Sequence, residues 1–100
     1  MIKSFGDSVT EDVFHGRYSQ RVRKKLSKQL LERSHKKLDM INAAHRLEDL
    51  RVPPSNRLEL LHGDLKGMHS IRINDQWRII FKWIDNDAER VEIIDYHGGS

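Results

Sequence analysis

The stretch His69-Ser70-Ile71-Arg72-Ile73-Asn74-Asp75-Gln76-Trp77-Arg78-Ile79-Ile80-Phe81-Lys82-Trp83 decides the fold of this chain. Side chains alternate on both sides of Asn74-Asp75, the pattern of two strands joined by a turn. Ile71, Ile73, Trp77 and Ile79 share one parity and so belong on one core face. A hairpin that keeps them together is centred on Asp75. It sets Ile73 against Trp77 and Arg72 against Arg78.

The same period extends outward. Before this hairpin Leu58 and Leu60 alternate with Glu59 and Leu61; after it Val91 and Ile93 alternate with Glu92 and Ile94. Gly63-Asp64, Gly67 and Asp85-Asn86-Asp87 are turn signals between the runs. Four strands in an antiparallel meander follow. A second hairpin centred on Asp87 sets Phe81 against Ile93, Lys82 against Glu92, Ile80 against Ile94 and Arg78 against Tyr96. Arg72, Arg78 and Tyr96 then form a row across three strands, on the face away from Trp77.

Upstream the period is 3.6. Val22, Leu26, Leu30, Leu38, Ile41 and Ala44 recur at helical spacing between about Ser19 and His45, a span without glycine or proline. One long helix is expected there, or two with a break near Ser34. Pro53-Pro54 stops it. Ser8 or Thr10 caps a shorter helix that ends at His15-Gly16, and Met1-Ile2-Lys3-Ser4-Phe5 reads as a first strand. The class is α+β: a single domain over residues 1–97, an antiparallel twisted sheet with N-terminal helices packed on one face. Gly98-Gly99-Ser100 has no periodic role and reads as a disordered tail or an appended remnant.

The chain of 100 residues allows one modest core. Cysteine is absent, which excludes disulfides, thiol nucleophiles and Cys-ligated zinc. No apolar run approaches the ~18 residues of a membrane span, and the first residues lack a secretory signal pattern. A cytoplasmic protein without membrane contact is expected. Net charge is only +3, but residues 17–37 hold nine of the 18 Lys and Arg, with one acid, Glu32. Such sidedness suits a polyanion, either nucleic acid or an acidic protein surface, and equally a solvated helix face. Arg21, Arg23, Lys24, Lys25, Lys28, Lys36 and Lys37, with Lys82 of the sheet, are the candidate contacts to such a polyanion.

Two arginines directly opposed on a sheet repel each other. An anion between them would relieve this, because guanidinium matches phosphate oxygens in a bidentate way. The alternative is that each pairs with a carboxylate such as Glu59 or Asp95. The chain ends on Asp95-Tyr96-His97, which brings a carboxylate, a phenol and a near-neutral imidazole to a strand end. Beside an arginine row, these groups suit phosphodiester cleavage in RNA, whose own 2′-hydroxyl is the nucleophile. His62, at the end of the Leu58–Leu61 run, is placed to face the same groove. No short metal-ligand spacing, phosphate-cradling glycine loop or nucleophile elbow is present, so neither metal nor cofactor is expected.

Asn56-Arg57-Leu58-Glu59-Leu60-Leu61-His62-Gly63-Asp64, the run from His69 to Ile79, and Val91-Glu92-Ile93-Ile94-Asp95-Tyr96-His97 together resemble the HigB branch of the RelE toxin superfamily, including the GraT-like toxins. The resemblance runs from Met1 to His97. It implies the toxin of a type II toxin–antitoxin system, a ribosome-dependent endoribonuclease that cuts messenger RNA in the decoding site. It also implies a cognate helix-turn-helix antitoxin (HigA- or GraA-like), with operator DNA reached only through the complex. The family's sheet arginines match Arg72 and Arg78, and its C-terminal catalytic group matches Asp95, Tyr96 and His97. His62 stands where relatives commonly carry lysine, and Glu59 where some carry histidine. The acid and base roles therefore stay open among His97, His62 and Glu59. Two other functions compete: a gyrase-inhibiting ParE-like toxin on a related scaffold, and a non-catalytic basic module that binds RNA or protein.

Overall fold

The computed structural model describes residues 1–96; the expectations for His97 and for Gly98, Gly99 and Ser100 lie outside the described residues. Three helices precede the sheet: α1 (Ser8–Phe14), α2 (Gln20–Lys25) and α3 (Lys28–Ala43). Asp7, rather than Ser8 or Thr10, caps α1, its carboxylate accepting from the Thr10 N–H at 2.8 Å. The helix stops at His15, and Gly16 follows at φ +72°.

The break in the long apolar stretch falls at Leu26-Ser27, not near Ser34. Ser27 accepts from the Leu30 N–H and so starts a new helix, while Leu26 is extended. Leu26 still drops its side chain into the core, so the apolar spacing runs through the break unchanged. Ser34 sits mid-helix in the buried stripe Leu30, Ser34, Leu38, Ile41, where a small residue lets α3 lie close to its neighbours. Two 3-10 turns, Leu47–Arg51 and Pro54–Asn56, carry the chain to the sheet.

The strands are β1 (Glu59–Leu60), β2 (His69–Arg72), β3 (Trp77–Ile84) and β4 (Asp87–Asp95), in the spatial order β1-β2-β3-β4 and antiparallel throughout. The first hairpin has the expected register, with Ile71 opposite Ile79 and Arg72 opposite Arg78. The second does not. Its turn is the pair Asp85-Asn86, both left-handed (φ 51° and 65°), which joins Ile84 directly to Asp87. A bulge follows, with Arg90 at φ 54°. Ile80 therefore opposes Glu92, Lys82 opposes Glu89, and Arg78 opposes Ile94 rather than Tyr96.

The expected first strand is a short edge instead. Ile2 and Phe5 bridge Ala88 and Val91 of β4 in parallel. Gly6 then passes so close to β4 that a Cβ there would stand 2.5 Å from Glu92 Oε1. Further along β4, Thr10 Oγ1 accepts from the Ile93 N–H and Lys25 donates to the Ile93 carbonyl. Helical side chains thereby cover an edge that would otherwise be open to pairing.

The helices pack on one face, as expected. Val13, Val22, Leu38, Ile41 and Leu50 meet Ile71, Ile79, Phe81, Val91 and Ile93 there. Part of the other face is also apolar: Leu61, Met68 and Ile80 form a second small cluster, with Leu65, Ile94 and Tyr96 against it. The polar remainder of that face is the site described below. No helix among the described residues is long and apolar enough to cross a membrane.

Asp12 ties α1 to α2. Its buried carboxylate accepts from Ser19 Oγ at 2.7 Å, Arg21 Nε at 2.7 Å and Arg17 Nη1 at 3.3 Å. The Ser19 hydroxyl first, then the Arg21 guanidinium, hold its carboxyl below the usual range. A lowered carboxyl contributes stability above its unfolded value of about 3.9, lost as pH falls through the lower folded value. Asp12→Asn should therefore unfold at lower urea than the parent at pH 7, with the gap closing below about pH 3.9. A gap of constant size across that range would mean the charge of Asp12 contributes nothing.

Candidate active site

On the face away from the helices, β1, β2 and β3 and the residue after β4 enclose a polar cleft of about 300 Å³. Arg57, Glu59, Arg72, Asn74, Asp75, Arg78 and Tyr96 line it. Three cations face two carboxylates, so the lining carries a formal excess of one positive charge.

Arg78 is the centre. Alternation along β3 points it away from the main core, into the second apolar cluster's border, and only 8% of the residue is exposed. Nε donates to Ser70 Oγ at 2.8 Å, and Nη2 donates to the Arg57 carbonyl at 2.7 Å. Glu59 Oε2 lies 3.9 Å from Nη2, and the Tyr96 ring centroid is 5.6 Å from the guanidinium carbon. Burial lowers the Arg78 pKa, Glu59 and Tyr96 act to raise it, and Arg57 and Arg72 act to lower it. Arginine remains a cation throughout the physiological range. The side chain is thus a charge held by neutral donors and acceptors, with no carboxylate in tight contact.

Arg72, directly opposite, pairs with Asp75 at the β2–β3 turn. Asp75 is 97% exposed, and Glu59 is 50% exposed. The two arginines therefore do have carboxylate neighbours, as the alternative reading supposed, though Arg72 takes Asp75 rather than Asp95. Both acids stand on the solvent side, where exposed pairs are weak and a bound anion can replace them. Tyr96 does not oppose Arg78. Its N–H donates to the Gln76 carbonyl at 2.7 Å, and its ring reaches the guanidinium diagonally, on the same face. The expected row is a triangle.

Of the other candidates, Glu59 lines the cleft, and Asp95 and His62 do not. Asp95 opposes Trp77, so its side chain belongs to the other face, where Gln76 Nε2 donates to it at 3.0 Å. His62 is exposed at the head of the 3-10 turn Gly63–Leu65, past the end of β1. Among the described residues, no group of three His, Asp or Glu is placed to hold a metal ion.

The basic segment divides. Arg21 is committed to Asp12, and Lys25 to Asp7 and the Ile93 carbonyl. Arg23, Lys24 and Lys28 are exposed around the α2–α3 junction. Lys82 is on the open face of β3, opposite Glu89. Lys36 and Lys37 are on α3 near the cleft, and Lys37 Nζ donates to Asn56 Oδ1.

Sequence reasoning missed Ser70, Arg57, Asn74 and Asn56. Ser70 has the parity of Arg72 and was legible as a neighbour of Arg78. Arg57 acts through its backbone carbonyl, which no side-chain pattern reveals; it is left-handed at φ 45°. Asn56 is fully buried and donates to the Leu50 and Val52 carbonyls, which fixes the loop that presents Arg57.

Comparison with known proteins agrees with this picture. Residues 3–97 match the family described as RelE-like toxin of type II toxin–antitoxin system HigB, and the chain belongs to that family. It is similar to Toxin HigB-1 of Vibrio cholerae, 53% identical over 53 residues, which cover 53% of this chain and 56% of that protein. An uncharacterized protein of Haemophilus influenzae is 45% identical over 56 residues, covering 56% of this chain and 55% of its own length. The match thus spans a little over half the length of these curated relatives. Among solved structures, the YoeB–YefM complex from Staphylococcus aureus superposes with a TM-score of 0.60 at 18% identity, covering 97% of this chain and 98% of that one. The YoeB dimer from the same organism gives 0.60 at 22% identity, covering 96% and 97%. At these identities the likeness is one of fold.

Ser70→Ala removes the acceptor of Arg78 Nε in a buried setting. It should cost about 1–3 kcal/mol, read as a lower urea midpoint with an unchanged slope. An unmoved midpoint would mean that the hydroxyl does not carry the guanidinium.

Proposed function

We propose that this chain is a ribosome-dependent endoribonuclease that cuts messenger RNA in the decoding site and arrests translation, and that a HigA- or GraA-like antitoxin neutralises it. Membership of the HigB-like toxin family supports the class. The observation that carries the chemistry is Arg78: a buried cation, oriented by Ser70 and Arg57, at the floor of a cleft whose competing carboxylates are solvent-facing.

Cleavage needs no external nucleophile. The 2′-oxygen attacks the adjacent phosphorus as its proton passes to a base. The bond to the 5′-oxygen breaks as that oxygen gains a proton, leaving a 2′,3′-cyclic phosphate and a 5′-hydroxyl. Negative charge accumulates on the phosphoryl oxygens between these events, and donors fixed beforehand stabilise it most. Arg78 and Arg72 take this role. Glu59 is the cleft carboxylate nearest Arg78, and the Tyr96 hydroxyl is a second proton carrier there. His97, one residue further on in the sequence, brings an imidazole and is proposed as acid or base.

The test is to add purified protein to translating ribosomes and map the new 5′ ends. The parent should produce cuts within ribosome-covered messenger, with no cutting of the same RNA free in solution. Arg78→Ala should lower single-turnover cleavage by ~100-fold or more while ribosome binding persists. Arrest of DNA supercoiling without cuts would point to a ParE-like toxin, and ribosome binding without cuts to a non-catalytic module. Full cleavage by Arg78→Ala would remove Arg78 from the mechanism. His97→Gln and Glu59→Gln, in the same assay, separate the proton carriers.

A further inference from the structure

Beside the cleft lies a second groove, of about 490 Å³, and the two share a wall formed by Arg72, Asn74 and Asp75. Its far side is α3, which contributes Arg33, Lys36 and Lys37, and Ser55 closes its end. We propose that this groove holds the phosphates of the single-stranded substrate next to the one being cut, so that the strand enters or leaves along α3. The inference rests on the ribonuclease reading given above and adds the path of its substrate.

Of the four cations around the groove, Arg72 is paired with Asp75 and Lys37 is tied to Asn56, while Arg33 and Lys36 give the fold no ion pair: among the described residues no carboxylate lies within ion-pair distance of either. Arg17, Arg21 and Lys25 of the same segment pair instead with Asp12 and Asp7. Lys37 donates to neutral Asn56, and burial together with the nearby Arg33 lowers its pKa. The one acid on the wall, Asp75, is already engaged by Arg72. Mobile counter-ions screen the repulsion among such cations, and a bound polyanion relieves it further by releasing them.

Spacing favours a strand over a compact anion. Arg33 and Lys37 stand one helical turn apart, about 6 Å along the axis, an interval comparable with that between neighbouring phosphates of an extended chain. The groove contains no aromatic side chain; Tyr96, in the cleft, is the stacking surface. It therefore tracks charge and does not read bases, so any codon preference arises in the cleft or on the ribosome.

The test uses the whole protein, without ribosomes, and 2′-O-methylated oligonucleotides that it cannot cut. Anisotropy at several salt concentrations is measured with an octamer, a trimer too short to fill both cavities, and a blunt duplex carrying as many phosphates as the octamer. Arg33→Gln/Lys36→Gln should weaken octamer binding about tenfold at low salt and reduce its log–log salt slope by about 1.4, or 0.7 for each lost contact. Trimer affinity should be unchanged, and so should the urea midpoint. Equal losses for trimer and octamer, an unchanged slope, or a larger loss for the duplex would overturn the proposal. So would loss of antitoxin binding with octamer affinity intact, which would make the groove a protein contact. Because no cleavage is measured, absence of cuts on ribosomes would refute the ribonuclease reading while leaving this result standing.

Discussion

The site depends on one buried guanidinium. Arg78 lies on the central strand of the meander, on the face opposite the main core, where burial would ordinarily exclude a charge. Ser70 and the Arg57 carbonyl satisfy it without neutralising it. A buried carboxylate partner would have done both, and would have left nothing for a substrate. The fold instead keeps Glu59 at 3.9 Å and Asp75 on the solvent side, which leaves a cation already in position for the phosphate of the proposed substrate.

That position is set from a distance. Lys37 of α3 donates to Asn56, and Asn56 in turn donates to the Leu50 and Val52 carbonyls. The next residue, Arg57, turns left-handed and offers its carbonyl to Arg78. On the other side, β2 supplies Ser70 through pairing with β3. The helical layer therefore does more than cover the sheet. It fixes the loop that closes the cleft, and its Arg33 and Lys36, without an ion pair among the described residues, border the groove alongside.

Much of this was legible in the sequence, for physical reasons that can be named. The Asp75-centred hairpin followed from parity alone, because a one-residue slip would have put Ile71 and Ile79 on opposite faces. Parity also kept Tyr96 on the face of Arg78 although the second register was wrong. The Asp85-Asn86 turn moves the pairing one way and the bulge at Arg90 moves it partly back, leaving an even offset. Bulges depend on backbone conformation and have weak residue signatures. The helix break at Leu26-Ser27 was hidden because an extended Leu26 satisfies the same apolar spacing as a helical one. The Arg57 carbonyl was beyond reach altogether, since every residue has such an acceptor and only the left-handed conformation of the loop selects this one.

The central claim is that Arg78 is held in place before substrate arrives and that its guanidinium is what the phosphate meets. The most direct measurement is the NMR signal of the Arg78 Nε–H, assigned by its disappearance in Arg78→Lys, followed while a 2′-O-methylated trinucleotide is added. In the free protein it should exchange slowly with solvent, as a donor to buried Ser70 must, and it should shift in step with trinucleotide binding. A rapidly exchanging signal, or one that stays still while others move, would contradict the account.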